Sequence, residues 1–273
     1  MVYLCGIINK NRDMEVNKIY NEDCLKTMSL MDEKSIDLIL TSPPYNTSRK
    51  GNSIEKGCAN IRYDGFNDMR DDKEYIDWTI KLFLSFNTIL IENGCVLYNM
   101  SYSSEKTYLM WDVIHFIQSR TNFIVADCIA WKKPSTSPNS CSCNKLTRII
   151  EYVFVLCRKQ EFMTFNCFKG ISSYRKTGQK SYCNVMNLIE APCNDGVNGL
   201  NFATFSSVLV RKLLKIYAKE NYIVYDPFMG TGTTAIGCIR EKCNFIGSEL
   251  SLEQCKYAEK RIYNENRQLE LFK

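Results

Sequence analysis

Apolar side chains recur along this chain in two rhythms, one suited to buried strands and one to amphipathic helices. Ile36, Leu38, Ile39 and Leu40 form a short apolar run that stops at Pro43-Pro44, which predicts a buried parallel strand ending at a sheet rim. Ile76, Ile80, Phe83, Phe86 and Leu90 then recur at helical spacing, and Asn93-Gly94 is expected to end this helix ahead of a strand over 95–98. Next come a helix around 106–119, a strand over 123–131, a loop carrying Pro134 and Pro138, and a strand over 152–157. Two strands joined by so long a loop predict an antiparallel edge. Further on, Leu209, Leu213, Ile216 and Tyr217 share one helix face, and Arg211, Lys212, Lys215 and Lys219 occupy the other. A strand over 222–225, a helix to about Arg240, a strand over 244–247 and an amphipathic helix from Ser251 to about Asn266 complete the pattern. Strands and helices that alternate in this way imply an α/β, doubly wound, mostly parallel sheet with helices on both faces.

Two segments break the rhythm. Residues 46–72 are rich in Asn, Gly, Lys and Asp and are too long for a plain connector, so they read as a functional loop. Residues 158–198 mix Gly, Ser, Asn, Lys and aromatic side chains without a clear period, which marks them as an inserted recognition segment.

Composition narrows the class. A chain of 273 residues that is 45% hydrophobic can bury the core of one large domain. No run approaches the roughly 20 apolar residues of a membrane-spanning helix, and the start lacks a signal peptide's apolar segment, so the expectation is a soluble, cytoplasmic protein with no membrane partner. The 14 cysteines are scattered, and Cys95, Cys128, Cys157 and Cys238 sit on apolar stretches, as reduced core thiols do. With His115 as the sole histidine and no C-x-x-C pair, no metal site is expected. A net charge of +5 favours a polyanionic partner, with basic clusters at Lys132-Lys133, 145–148, 169–180 and 211–219. Arg148 reads either as a phosphate contact or as a structural partner of Glu151 or Asp127.

The chemistry gathers in two places. In Asp226-Pro227-Phe228-Met229-Gly230-Thr231-Gly232-Thr233-Thr234, a strand delivers a carboxylate and then a glycine turn that lets backbone approach a ligand before a helix begins. No lysine stands in the turn, so this is not a triphosphate cradle. Glu249, just after the next strand, is where an acidic side chain reaches ribose hydroxyls in dinucleotide-type folds. The second place is Thr41-Ser42-Pro43-Pro44-Tyr45, at the end of the early strand.

The late segment resembles the cofactor motif, and the early one the catalytic motif, of the exocyclic-amino DNA methyltransferases. The order, catalytic motif first, is similar to the circularly permuted β group of that family, and the likeness runs from about Ile19 to Asn264. The resemblance implies a Rossmann-like S-adenosylmethionine methyltransferase fold, with 1–157 its catalytic part, 158–198 its target-recognition segment and 199–273 its cofactor-binding part. It implies S-adenosyl-L-methionine as cofactor, with Asp23 and Cys24 near the adenine, Asn201, Ala203 and Phe205 at the methionine end, and Thr41, Asp226, Pro227, Phe228, Gly230, Gly232, Thr233, Thr234 and Glu249 completing the pocket. The family usually has a histidine and two prolines where this chain has Asn201, Phe202 and Ser206. Ser42, Pro43, Pro44 and Tyr45 would carry catalysis. Double-stranded DNA is the implied partner, and a cognate restriction endonuclease and a homodimer are further partners that the resemblance admits.

An exocyclic amine is a poor nucleophile because its lone pair is delocalised into the ring. The Ser42 hydroxyl and the Pro43 carbonyl could accept its hydrogens and free that lone pair for a sulfonium methyl. The proline pair stiffens the turn, and Tyr45 could stack on a base turned out of the duplex. Within the family, serine at the first catalytic position goes more often with cytosine N4 and aspartate with adenine N6, so cytosine is favoured and adenine is the alternative. A methyltransferase for RNA or protein and a non-catalytic DNA-binding module are the rival classes. Pro192-Cys193, the pair that a carbon-methylating enzyme would use, follows an irregular polar segment and not a buried strand.

Overall fold

The computed structural model describes residues 14–46, 70–103, 106–134, 136, 143–193, 195 and 206–271. They form β1 (Lys18–Tyr20), α1 (Cys24–Leu30), β2 (Ile36–Thr41), α2 (Asp72–Ile89), β3 (Leu90–Met100), α3 (Leu109–Arg120), β4 (Phe123–Lys132) and β5 (Ile150–Arg158). After these come β6 (Ile171–Tyr174), β7 (Lys180–Tyr182), β8 (Leu188–Glu190), α4 (Ser207–Tyr217), β9 (Ile223–Asp226), α5 (Thr233–Arg240), β10 (Asn244–Ser248) and α6 (Leu252–Leu271).

Eight strands make one sheet in the order β1-β10-β9-β2-β3-β5-β4-β8. Its pairs are parallel except for β3 with β5 and β5 with β4, so β5 alone runs against the rest. The antiparallel pair is therefore present, but it is not the edge: β5 lies between β3 and β4, and β8 adds a further parallel strand outside β4. The residues expected to be an irregular insertion supply that edge strand and a separate β6–β7 ribbon.

Strand alternation sorts the core into two layers. Ile39, Val96, Tyr98, Phe154 and Tyr225 point to α1, α2 and α3, whereas Leu38, Leu40, Leu97, Val155 and Val224 point to α4, α5 and α6. Phe83 of α2 centres the first layer, with its ring edge-on to Phe86, Tyr98 and Phe123 at 5.1, 5.4 and 5.3 Å.

The expected helix stop at Asn93-Gly94 is displaced. The helix ends at Ile89, and Asn93-Gly94 lie inside β3, where the register against β2 jumps from Ile36↔Leu90 to Leu38↔Cys95. Asn93 adopts φ 59°, its carbonyl accepts from the Asn166 amide at 2.7 Å, and its side chain accepts from the Thr164 hydroxyl at 2.5 Å. A side chain at Gly94 would meet Leu90 Cγ at 2.7 Å. The dipeptide makes a bulge, a use of Asn-Gly that local pattern does not separate from a helix end.

Candidate active site

Because β2 and β9 are neighbours, the two motif turns leave the sheet side by side on one rim. The Thr41 hydroxyl donates to Asp226 Oδ1 at 2.8 Å. The same carboxylate accepts from the Phe228 amide at 3.0 Å and, through Oδ2, from the Thr234 hydroxyl at 2.5 Å. Asp226 thus stitches the end of β2, the glycine turn and the first residues of α5 into one unit. It is fully buried, and that burial lifts its carboxyl from the ordinary 3.8 to about 6, against the lowering effect of its hydrogen-bond donors.

The turn after Asp226 is drawn tight. The Met229 amide donates to the Ser248 carbonyl and the Gly232 amide to the Met229 carbonyl, each at 2.9 Å. Gly230 and Gly232 have φ of 54° and 85°, and a side chain at Gly232 would meet Ala258 Cβ of α6 at 2.9 Å. Phe228 turns to the other face and packs on Trp78 of α2, ring centroids 5.5 Å apart. Pro227, Gly230, Thr233 and Thr234 are buried.

Glu249 stands at the end of β10, with Oε2 accepting from the Gly230 amide and Oε1 from the Ser251 amide, both at 2.9 Å. At the end of β1, Asp23 caps α1 by accepting from the Leu25 amide at 2.8 Å, and Cys24 is buried behind it, its thiol pushed up by burial. Three carboxylates therefore stand at the ends of three adjacent strands, β1, β10 and β9. Such a set repels phosphate and accepts from hydroxyl and amino groups, which fits a cationic nucleoside such as S-adenosylmethionine and not a triphosphate. Asn201, Ala203 and Phe205 lie outside the described residues.

Beyond Thr41 the chain turns through Ser42 and the buried Pro43 and Pro44. The Tyr75 hydroxyl of α2 donates to the Pro44 carbonyl at 2.7 Å and holds the turn against the helix. Sequence reasoning missed the side chains that organise this turn. Asn99, buried near the end of β3, directs its amide nitrogen at the Tyr45 hydroxyl (2.6 Å), Glu151 Oε2 (3.1 Å) and Ser42 Oγ (3.2 Å). The Tyr45 hydroxyl in turn donates to Glu151 Oε2 at 3.2 Å and lies 3.1 Å from Ser42 Oγ. Lys133 pairs with the other Glu151 oxygen, and Lys132 with Glu190, so the Lys132-Lys133 cluster is engaged by protein carboxylates. A signal was available: Asn99 is a polar residue within the apolar run 95–98 plus Met100, and Glu151 opens another such run, each beside a strand that bears on the motif.

Neither structural pairing considered for Arg148 occurs. Glu151 is held by Lys133, Asn99 and Tyr45, Asp127 accepts from the Cys128 amide, and Arg148 donates to the Tyr102 carbonyl at 2.7 Å. Pro192 lines a groove with Ser206, Arg240 and Arg261, on the side of the sheet that carries α4, α5 and α6.

Known proteins match over nearly all of this architecture. Residues 36–260, which include both motif turns, match the family model for N6 and N4 methylases described as DNA methylase. Type II methyltransferase M2.MboI of Moraxella bovis is 23% identical over 250 residues, covering 90% of this chain and 87% of the relative. Type II methyltransferase M.SmaI of Serratia marcescens is 26% identical over 279 residues, covering 90% of each. Among solved structures, PvuII DNA methyltransferase (cytosine-N4-specific) superposes with a TM-score of 0.68 at 18% identity, covering 92% of both chains. The M1.HpyAVI complex with S-adenosylmethionine superposes at 0.58 and 22% identity, covering 90% of this chain and 98% of that one.

Proposed function

The chain belongs to the DNA methylase family of N6 and N4 amine methyltransferases and is an S-adenosylmethionine-dependent DNA methyltransferase, and we propose that its acceptor is the N4 amine of a cytosine turned out of the duplex. The observation that carries the choice of base is Ser42, a neutral hydroxyl at the first catalytic position, oriented by Asn99 and Tyr45. The name of the PvuII enzyme, a structural neighbour, points the same way.

S-adenosylmethionine supplies an electrophilic methyl group on a sulfonium. The residues of this chain prepare the amine. Tyr45 has one hydroxyl proton, and donating it to Glu151 leaves Ser42 to donate to Tyr45. Ser42 Oγ also receives the Asn99 amide, so one of its lone pairs remains to accept an N–H of the base. The Pro43 carbonyl is the second acceptor, and the amine's lone pair is left for the methyl carbon. The methylated nitrogen then sheds one proton: it moves to Ser42 Oγ as the Ser42 proton passes to Tyr45 and the Tyr45 proton to Glu151.

We assign the cofactor to Glu249, Asp23 and the turn from Asp226 to Thr234, with Asp226 and Thr41 shaping that turn from beneath. Residues 158–198 are the proposed target-recognition segment. In support, Arg175 and Gln179 close the tip of the β6–β7 ribbon, the Arg175 amide donating to the Gln179 carbonyl at 2.8 Å, and a two-stranded ribbon is one of the elements that the major groove admits. Lys180 and Asn184 stand exposed beside it. A cognate restriction endonuclease and a homodimer belong to the same proposal, the first supported by relatives named Type II methyltransferases. The described cysteines carry free thiols, and among described residues no helix is long and apolar enough to cross a membrane, which supports a cytoplasmic location.

Transfer of tritiated methyl from S-adenosylmethionine to duplex DNA, RNA and protein acceptors in parallel tests the substrate class. Label in duplex DNA alone is the expected result, and label in RNA or protein alone overturns it.

A further inference from the structure

One cationic cleft is not used by the chemistry above. It measures about 400 Å³ and is walled by Tyr102, Thr107, Arg148, Ile150 and Tyr152, with Lys145 at its margin. Tyr102 lies two residues past β3, and Tyr152 pairs with Met100 and follows Glu151 directly. The cleft therefore opens on the rim that carries Ser42, one residue along β5 from the carboxylate that holds Tyr45.

Arg148 differs from five other arginines of the fold. Arg120, Arg158, Arg211, Arg240 and Arg261 each face a carboxylate. Arg148 has no carboxylate partner among the described residues: one N–H group donates to the Tyr102 carbonyl at 2.7 Å, and the guanidinium lies over the Tyr102 ring, 5.3 Å from its centroid. Carbonyl and ring fix the plane of the fork, and its other N–H groups donate to no described residue. Among the described residues no acidic side chain lines the cleft, whereas two tyrosines, two threonines and two cations do.

We infer that this cleft is a subsite for the DNA strand beside the target base, with Arg148 gripping the backbone phosphate next to the turned-out nucleotide. The inference rests on the DNA methyltransferase reading and adds a contact that neither motif supplies. The two free oxygens of a phosphodiester match the guanidinium fork, and the volume lies in the range that ordinarily receives a small ligand or a nucleotide. A phosphate contact carries no sequence information; it sets the register of the strand, so that the base entering the site lies opposite Ser42.

The test is the salt dependence of binding to a fluorescein-labelled, mixed-sequence duplex, read by anisotropy with wild type, Arg148→Gln, Arg148→Lys and Arg267→Gln, the last removing an exposed cation of α6. Loss of one phosphate contact lowers the slope of log K against log salt by about 0.9. That drop is expected for Arg148→Gln alone, with weaker binding on every sequence tried and unchanged affinity for S-adenosylmethionine by calorimetry. A wild-type slope in Arg148→Gln overturns the subsite while leaving the methyltransferase reading intact. A wild-type protein that fails to bind duplex overturns both. Should Arg148→Gln fail to fold, phenylglyoxal modification of the wild-type protein decides: the duplex is expected to protect Arg148, and equal modification with and without DNA removes the subsite.

Discussion

The Thr41 hydroxyl donates to the Asp226 carboxylate at 2.8 Å across a separation of 185 residues. This bond joins the strand that carries the proline turn to the strand that carries the glycine turn, and it brings the turn proposed to grip the base and the turn proposed to hold the methyl donor together on one rim.

Asp226 gives that junction a pH signature. Its carboxyl titrates near 6 in the folded protein and near 3.8 when unfolded, chiefly because burial penalises the charge. A raised folded value means that this group's contribution is fully present below pH 3.8 and is lost as pH rises through about 6. Wild type is expected to lose about 3 kcal/mol from this source between those limits. Asp226→Asn keeps the shape and removes the titration, so the difference between urea-unfolding curves of the two proteins across this window is the measurement.

Ser42→Ala removes the proposed acceptor of the amine's hydrogen. We expect turnover to fall on the order of 10²-fold, as when one organising hydrogen bond is lost at a reacting centre. Affinity for S-adenosylmethionine by calorimetry is expected to stay at the wild-type value.

Glu151→Gln keeps a partner for the Tyr45 hydroxyl and removes the proposed final proton acceptor. A fall in kcat on the order of 10²-fold is expected, with the KM for duplex DNA nearly unchanged. A purely structural Glu151 would leave kcat near the wild-type value in the glutamine variant, which keeps the hydrogen bond.

Glu249→Ala acts on the other half of the site. Removing the carboxylate that holds the Gly230 amide is expected to weaken S-adenosylmethionine binding by about 10-fold to 100-fold, the range for one charge-assisted contact. Turnover at saturating cofactor should change far less.

Phe83→Ala tests the layer that supports α2, and through it the Tyr75 bond to the proline turn. The ring is fully buried among Phe86, Tyr98 and Phe123, so a loss of about 3–5 kcal/mol in unfolding free energy is expected.

Much of this site was legible in the sequence because its parts are local. A buried strand followed by Ser-Pro-Pro-Tyr, and another followed by a carboxylate and two glycines, are read from adjacent residues, and the alternation of elements orders them around a parallel sheet. What local pattern does not carry is partnership across the sheet. Asn99 and Glu151 come from β3 and β5, and only the antiparallel insertion of β5 beside β3 brings them to Tyr45. Lys133 looked like a phosphate contact until Glu151 stood next to it, and Arg148 looked pairable until Glu151 was taken. Asn93-Gly94 failed as a helix stop for a similar reason, since the contacts that fix its bulge come from Thr164 and Asn166.

The most direct measurement is mass spectrometry of nucleosides from duplex DNA incubated with the protein and isotopically labelled S-adenosylmethionine. N4-methyldeoxycytidine carrying the label is the result expected here. Label in N6-methyldeoxyadenosine would contradict the choice of base, and label in 5-methyldeoxycytidine, a carbon product that Ser42 and the Pro43 carbonyl have no means to activate, would contradict the mechanism itself.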